Sequence, residues 1–408
     1  MMAATQKGFQ QKRLPFWLQI PNQLSKSMGI LTPKLTPEAL TKKAAKRAGL
    51  EANFSTHVEN GLEALCKSLQ DDAKLNWFGK MNYMNMVATG LSELLLLKET
   101  FRANPELSAI KLNNPVFVTG MPRSGTTFLH RLLSASDKTL AVLLYQHMFP
   151  TAKKERRALR ESKMLFFPWE KASKQYNIDA IHFVRPGLAD ECNFGMRLGM
   201  HSMIYWSMSQ AHGYLNWLLE QDLEESYQIY RMALQLHQAK DPEKQLMLKC
   251  PHHLAFLPAL TKVFPEATIV ETHREPAQVV ASECKLNLSI QALSTDQLDW
   301  EAVVKSTWHK ANTFASRAVA FADMNANQKL IHVDYKNLVK DPVSLAKDLF
   351  QQIGISLDAT EETAFRTYFG ANKQHKHGKN EYSLEQFGLS VEQVHESFKS
   401  YRERFILT

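Results

Sequence analysis

Long apolar segments are missing from the sequence, whose 408 residues contain no stretch close to the ~20 apolar residues that a membrane-spanning helix requires. The beginning of the chain also lacks the apolar core of a signal peptide. Cysteine is scarce, and the four residues are widely spaced without a CxxC pair: Cys66, Cys192, Cys250 and Cys284. These absences argue against a membrane-spanning or disulfide-rich protein. We expect reduced thiols in a cytoplasmic protein.

Positive charge is unevenly distributed along the chain. Residues 1–50 contain nine Lys or Arg and one acidic residue, whereas the other 358 residues contain forty of each sign. The net charge of +8 therefore belongs to the beginning of the chain, and the rest has no excess of positive charge that would indicate nucleic-acid binding. Residues 1–36 are predicted to form a basic, partly ordered arm, because Pro15, Pro21 and Pro33 interrupt any long helix. Apolar residues within this arm leave a peripheral membrane contact open as an alternative.

The spacing of apolar residues predicts a helical region followed by an α/β body. Residues 37–110 have a helical pattern, and Thr36 followed by Pro37 is a typical helix start. Four short apolar runs predict buried parallel strands: PVFVT (115–119), QLMLK (245–249), ATIVETH (267–273) and KLIHVDY (329–335). Helical patterns between these runs indicate right-handed crossovers. Residues 111–408 are therefore predicted to form a three-layer α/β fold like that of P-loop proteins, in which helices flank a central parallel sheet.

The segment TGMPRSGTTF, which follows the first predicted strand, has the composition of a phosphate-binding loop. Gly120 and Gly125 allow a tight turn, and a helix is predicted to begin with Thr126 and Thr127. The amides and hydroxyls at such a helix start can bind an anion, and Arg123 adds a cation with paired donors. Because Thr126 stands where a P-loop has the lysine that contacts ATP, we expect anion binding without phosphoryl transfer. A glycine-rich turn that binds nothing is the alternative.

The letters PRSGTT after a strand resemble the 5′-phosphosulfate loop of the sulfotransferases that use 3′-phosphoadenosine 5′-phosphosulfate (PAPS). The similarity is to a broad, mainly bacterial group related to the tyrosylprotein sulfotransferases. In a second segment, IVETHREPAQVVASECKL, Ser282 follows Arg274 by eight residues, the separation at which the family binds the 3′-phosphate. Further similarity in VDYKNL and HKHGKNEY extends the resemblance over roughly residues 112–405. It implies PAPS as the co-substrate, with contacts from Gly120, Arg123, Ser124, Gly125, Thr126, Thr127, Arg274, Ser282, Tyr335, Lys376, His377, Gly378 and Lys379.

The resemblance also implies a reaction, the transfer of a sulfuryl group from PAPS to a hydroxyl acceptor. Arg123 is expected to stabilise the bridging oxygen, and Lys249, at the end of LMLK, the sulfuryl oxygens, where charge develops in the transition state. A structural salt bridge at the end of the strand is the alternative role of Lys249. The glutamate that relatives use as a base is replaced by Gln146, whose amide cannot act as a base. The base therefore stays open between Glu191, in RPGLADECNFG, and His252, in KCPHHL, or neither of them.

The acceptor is expected to be a small molecule, lipid or glycan with a hydroxyl group, bound by a helical insertion at about 140–235. This insertion contains an aromatic-rich segment with Tyr205, Trp206, Tyr214 and Trp217. Such a segment is more typical of a protein core, but it could also form a cap over an apolar acceptor. The basic run KKERRALRESK (153–163) is expected to be a solvated helix face. No metal is expected, because Cys250 and the two histidines that follow it lack the further ligands of a tetrahedral zinc site.

Two other functions fit parts of the pattern. A non-catalytic nucleotide-binding or adaptor protein could retain the PAPS site, and Gln146 in place of the base leaves this alternative open. A P-loop nucleotide kinase is disfavoured by the missing lysine. The kinase and the sulfotransferase can be distinguished by thermal stabilisation: ATP with Mg²⁺ should stabilise a kinase, and adenosine 3′,5′-bisphosphate should stabilise a sulfotransferase.

Overall fold

The computed structural model describes the chain in six segments, which comprise residues 16–28, 32–176, 178–180, 182–324, 329–372 and 383–407. Their centre is a five-stranded parallel sheet with strands β1 (Val116–Gly120), β2 (Thr139–Ala141), β3 (Gln245–Lys249), β4 (Thr268–His273) and β5 (Leu330–Asp334). The strand order is β2-β3-β1-β4-β5. The four predicted strands are confirmed within one residue at each end. Strand β2 has no counterpart in the prediction, because three residues are too few to show a period.

Nineteen α-helices surround this sheet in the described segments. In chain order, α1–α19 are Phe16–Met28, Pro37–Ala48, Thr56–Asp71, Trp77–Ala103, Thr126–Leu133, Leu144–Met148, Glu155–Gln175, Asn193–Met196, Ile204–Ser207, His212–Leu219, Glu224–Gln238, Leu257–Val263, Pro276–Ser294, Trp300–Met324, Tyr335–Lys340, Pro342–Ile353, Ala359–Ala371, Val391–Ser397 and Lys399–Phe405. Short 3₁₀ helices are Pro105–Ala109, Ile178–Ala180, Arg197–Gly199, Pro251–Ala255 and Glu385–Phe387. Among the helices described, none has both the length and the apolarity to cross a membrane.

Alternate residues of the strands face two separate cores. On one side of the sheet, Val116 and Val118 pack with residues of α5, α16 and α17. On the other side, Phe117 and Leu248 pack with residues of α4, α11, α13 and α14. Helices α2 and α3 belong to this second core too, so the N-terminal helices pack on the α/β body. The predicted three-layer α/β fold with a helical N-terminal region is confirmed.

The first two helices show how far local signals decide where a helix forms. The Thr36 hydroxyl accepts a hydrogen bond from the Ala39 amide (3.3 Å), so α2 begins where the sequence predicts. Helix α1 differs from the prediction of an arm interrupted by prolines, since it runs through Pro21. Its Leu18 is buried with residues of α4 and α13, and Asn22 donates to Asp296 over 2.9 Å. Helix α1 therefore packs on the protein through Leu18 and Asn22.

Candidate active site

The predicted phosphate-binding loop connects β1 to α5 at the carboxyl ends of the strands. Gly120 has φ +135°, and a Cβ atom there would lie 2.3 Å from the Thr272 carbonyl oxygen, so only glycine fits. Gly125 has φ +97°, and its Cβ would lie 3.1 Å from the Tyr335 ring. Ser124 is fully buried, and its hydroxyl shares a 2.6 Å hydrogen bond with the Thr272 hydroxyl. Strand β4 and Tyr335 therefore help to set the shape of the loop.

The remaining loop residues lie at the N-terminus of α5. This helix begins at Thr126, so the amides of its first turn have no acceptor within the helix, as anion binding requires. Thr126 is buried and Thr127 is partly exposed. Their contacts with a cofactor stay predictions, as does that of Ser124. Four further predicted contacts lie outside the described residues: Lys376, His377, Gly378 and Lys379.

Side chains that are far apart in the sequence meet beside this loop. Arg123 donates from Nε to the Ser282 hydroxyl of α13 (3.1 Å). The carbonyl oxygen of Arg123 accepts a hydrogen bond from the Arg274 guanidinium (2.9 Å). That guanidinium also lies 4.1 Å from the centre of the Tyr335 ring. The structure thus brings together Arg123, Arg274, Ser282 and Tyr335, the four side chains predicted to contact the two ends of the nucleotide.

Lys249 and Glu191 form a buried ion pair at the carboxyl end of β3. The Lys249 ammonium donates to one Glu191 carboxylate oxygen over 2.9 Å, and the other oxygen accepts from the Asn193 amide group over 3.2 Å. Burial alone raises the pKa of Glu191, but Lys249, with smaller effects from His182 and His252, lowers that pKa to about 2. Glu191 is therefore ionised at neutral pH.

His252 and His253 are adjacent in the sequence but lie in different surroundings. His252 contacts the Asn193 amide group through Nδ1. Burial, and then the nearby Lys310 ammonium, keeps the pKa of His252 well below its usual value, so its ring is neutral. Because Nδ1 accepts from the Asn193 amide, the ring proton is on Nε2, which makes His252 a hydrogen-bond donor there. His253 instead bonds to the Tyr227 hydroxyl through Nδ1 (2.8 Å) and is buried in the core.

Gln146, which stands in place of the expected glutamate, has a structural role. Its side-chain oxygen accepts from the Leu143 amide (2.8 Å) at the start of α6. Gln146 does not line the cavity described next, whereas Glu191 and His252 do. Both candidates for the base therefore line the cavity, Glu191 as an ionised carboxylate and His252 as a neutral ring. The choice between them stays a prediction.

A cavity of about 350 Å³ lies between the phosphate loop and helices α1, α4, α7 and α13. Pro122 of the loop lines it together with Glu191 and His252. Its walls are largely apolar, with side chains that include Leu18, Phe78, Phe166, Trp169, Met208 and Ile290. The volume is typical of a small-molecule site. The cavity therefore joins the predicted phosphosulfate site to a space that suits an apolar molecule.

The aromatic residues predicted to cap the acceptor do not line this cavity. Tyr205, Trp206 and Tyr214 are completely buried, and the Tyr214 hydroxyl donates to the Met200 carbonyl oxygen (2.7 Å). Trp217 packs against Tyr214 at the edge of the same core. The segment contributes three other residues to the cavity: Ile204, Ser207 and Met208. The hypothesis of an aromatic cap is therefore wrong, and these side chains stabilise the core.

A second charged pair in this cavity was not predicted from the sequence. Lys310 of α14 contacts Glu283 of α13, and both side chains line the cavity and are buried. Glu283 directly follows Ser282, but nothing in the sequence connects it with a lysine 27 residues away. A short-range motif search would not find this pair, because the contact depends on how two long helices cross.

Glu191, Cys250 and His252 hold potential metal ligands within 4.8 Å of one another. Their polar atoms are already engaged, since Glu191 is paired with Lys249 and His252 contacts Asn193. Burial raises the pKa of the Cys250 thiol well above its usual value, so the thiol is protonated. In this arrangement the three side chains are not available together as metal ligands. The expected absence of a metal stays a prediction.

The fold and the loop define a three-layer α/β protein with a P-loop-like anion site. Residues 115–359, more than half of the chain, match the profile described as the sulfotransferase family. The protein belongs to the sulfotransferase family, as the resemblance of its phosphate loop predicts. The sulfotransferase function is thereby confirmed, and the kinase and adaptor alternatives are not favoured.

Known relatives and solved structures agree with this assignment. Over 294 residues the chain is 24% identical to the omega-hydroxy-beta-dihydromenaquinone-9 sulfotransferase Stf3 of Mycobacterium bovis, with 68% of this chain and 71% of the relative covered. The crystal structure of sulfotransferase STF1 from Mycobacterium tuberculosis H37Rv is similar with a TM-score of 0.74 and 27% identity, covering 89% of this chain and 98% of that one. STF9 from Mycobacterium avium has a TM-score of 0.80 at 23% identity, with 92% and 98% covered, and supports the fold alone.

Proposed function

We propose that the protein transfers a sulfuryl group from PAPS to the hydroxyl group of an apolar, lipid-like acceptor. The observation that carries the proposal is that Pro122 of the phosphate loop and Glu191 line one largely apolar cavity. A donor bound at the loop would present its sulfuryl group at the wall of this cavity. An acceptor hydroxyl in the cavity would then lie between the donor and the carboxylate, as in-line transfer requires.

The residues beside the loop suit both phosphate-bearing ends of PAPS. The first-turn amides of α5, with Thr126 and Thr127, would hold the phosphosulfate. Arg274 and Ser282 would hold the 3′-phosphate, and the Tyr335 ring would lie near the adenine. Since Arg123 donates to Ser282 over 3.1 Å in this structure, cofactor binding would exchange that hydrogen bond for charged contacts with the ligand.

In the reaction, a bond forms between the acceptor oxygen and sulfur while the bond from sulfur to the bridging phosphate oxygen breaks. Arg123 and Lys249 would stabilise the charge that develops on the leaving oxygen and the sulfuryl oxygens. Glu191 would take the acceptor proton. With a pKa of about 2 it is a weak base while Lys249 is paired with it. When Lys249 turns to the sulfuryl oxygens, burial is no longer offset and the basicity of Glu191 rises.

The cavity walls favour a lipid alcohol over a glycan. Apolar side chains such as Phe78, Phe166 and Ile290 would leave most hydroxyl groups of a sugar without hydrogen bonds, which is unfavourable. A molecule with one hydroxyl near Glu191 and an apolar body would match these apolar walls. The name of Stf3 supports this choice, since it describes a hydroxylated menaquinone derivative as that protein's substrate.

Thermal unfolding with two nucleotides tests the cofactor. Adenosine 3′,5′-bisphosphate should raise the melting temperature without Mg²⁺, because it has a phosphate for each of the two sites. At about 100 times its Kd, the ligand stabilises the fold by roughly 2.7 kcal/mol. ATP with Mg²⁺ serves as the control. An equal or larger shift with ATP would contradict the PAPS proposal.

Transfer of label from PAPS to a panel of long-chain alcohols, isoprenoid alcohols, sterols, phenols and glycolipids tests the reaction. With the best acceptor, Glu191→Gln should lower the rate ~10²–10⁴-fold while cofactor affinity changes little, because the amide keeps the shape but cannot take a proton. His252→Asn is the matched control, and it should cost little. If the histidine variant alone is inactive, the two roles are reversed. If both variants stay active, an acidic phenol that needs no base is the better acceptor.

A further inference from the structure

Exposed apolar side chains are concentrated on two helices, α1 and α7. Six of the eleven large exposed hydrophobic side chains in the described segments lie there: Phe16, Trp17, Ile20, Leu24, Met164 and Phe167. Phe16, Ile20 and Leu24 recur every four residues, which places them on one face of α1. On the other face of α1, Leu18 belongs to one buried cluster with Ala172 of α7, and both helices line the same cavity. A concentrated apolar patch of this kind marks an interaction surface.

One face of α7 combines apolar and basic side chains. Arg157, Arg160, Met164, Phe167 and Lys171 recur at alternating intervals of three and four residues, and all five are exposed. The Lys171 ammonium lies 5.5 Å from the centre of the Phe167 ring. In this arrangement a lysine covers apolar surface while its charge remains in water. Such a mixture of apolar and basic residues on one face is typical of a helix that lies in a membrane interface.

The charge of this helix favours an anionic partner. Residues 153–174 contain eight Lys or Arg, all exposed, and three acidic residues. Each of the three carboxylates is already paired with a basic side chain: Glu155 with Lys240, Glu161 with Arg47, and Glu170 with Lys174. The excess positive charge therefore complements the headgroups of anionic phospholipids, which attract basic residues close to the bilayer surface.

The same two helices line the cavity that leads to Glu191. Trp17 and Leu18 of α1 and Phe166 and Trp169 of α7 contribute to its wall, and Trp17, which is 42% exposed, belongs both to this wall and to the surface of α1. We propose that the outer faces of α1 and α7 dock on an anionic membrane, so that a lipid acceptor enters the cavity from the bilayer without crossing water. The route of the acceptor rests on the proposed function, whereas the docking itself does not require catalysis.

Sedimentation of the full chain with lipid vesicles, without nucleotide, tests the docking. We expect binding to vesicles of phosphatidylcholine and phosphatidylglycerol, little binding to phosphatidylcholine alone, and loss of binding at high salt. The double variant Met164→Ser, Phe167→Ser and the separate variant Arg160→Glu should each bind at least about fivefold more weakly. Met324→Ser is the matched control, because Met324 is 73% exposed and Met164 is 69% exposed. The control variant should bind like the wild type.

The docking proposal is overturned if the wild type shows no preference for anionic vesicles, or if the Met164→Ser, Phe167→Ser variant binds like the control. Turnover supplies a second measurement, because neither Met164 nor Phe167 lines the cavity. The double variant should sulfate an acceptor dispersed in detergent at the wild-type rate but lose at least about fivefold when the acceptor is in vesicles. If the wild type binds vesicles but sulfates no acceptor, the proposed function fails and the docking stands. Turnover without vesicle binding would reject the docking alone.

Discussion

Replacement of Lys249 by methionine tests how much the buried ion pair with Glu191 stabilises the fold. The two side chains are 1% and 16% exposed, so the substitution leaves a carboxylate without its cation in a place that excludes most water. Burial raises the pKa of Glu191, and Lys249 is the main group that brings it from 4.5 down to about 2. A shift of this size corresponds to about 3 kcal/mol, at about 1.4 kcal/mol per pKa unit. Removal of one partner from a buried pair generally costs ~3–5 kcal/mol, so we expect Lys249→Met to lower the free energy of unfolding by about 3 kcal/mol.

The assay is urea unfolding at pH 7 for the wild type, Lys249→Met, Glu191→Gln and the double variant. The pH matters because the folded-state pKa of Glu191 lies below its usual value. The pair therefore stabilises the fold above about pH 4.5 and loses this effect as the pH falls toward 2. The double variant has no unpaired charge, so it should recover most of the stability that Lys249→Met loses. Lys249→Met and the double variant should both be inactive. A Lys249→Met variant as stable as the wild type, or a double variant that loses the sum of the single effects, would refute this reasoning.

The strands and the phosphate loop were predictable because their signals are local. Each predicted strand is a continuous apolar run, which a parallel strand needs when it is covered on both faces. The loop needs glycine at residues 120 and 125, where the backbone has positive φ and neighbouring atoms leave no space for a side chain. Arg274 and Ser282 were found through their spacing within one strand–helix unit. In all these cases the constraint and the residue lie within a few positions of each other.

The charged pairs of the cavity could not be predicted in the same way. Lys249 and Glu191 were each singled out, but their contact spans 58 positions and depends on the loop before α8 reaching the end of β3. Lys310 and Glu283 gave no signal, because a charged residue on a helix is usually solvated. Sequence separation hides such pairs until the crossing of the elements is known.

Apolar patterns in the sequence indicated which side chains are buried, but not whether they pack against the protein or against a ligand. The segment with Tyr205 and Trp206 has the composition of both a core and an acceptor cap, and only the packing shows that it is core. Helix α1 shows the opposite case, because the prolines of this region argue against a long helix. Pro21 is tolerated within α1, and the burial of Leu18 beside α4 and α13 offsets the hydrogen bond that proline cannot make.

Two further sets of variants test the cofactor contacts and a buried carboxylate. Arg274→Ala should weaken the binding of adenosine 3′,5′-bisphosphate by roughly 1.5–3 kcal/mol in calorimetry. Arg123→Ala should also lower kcat at saturating PAPS. If both variants change only KM, the role of Arg123 is rejected. Glu271, on β4, is completely buried with no hydrogen-bond partner among the described residues, and burial raises its pKa to about 8. Because the folded state binds this proton more tightly than the unfolded state, the stabilisation is complete below about pH 4.5 and is lost as the pH rises through 8. Burial lowers the pKa of His273 and His332, so these neighbours change charge only below about pH 6.5 and do not disturb the upper part of this range. Glu271→Gln should therefore gain roughly 1–2 kcal/mol over the wild type between pH 6.5 and 8 in urea unfolding. A stability difference that stays constant with pH would show that the carboxylate is solvated or paired.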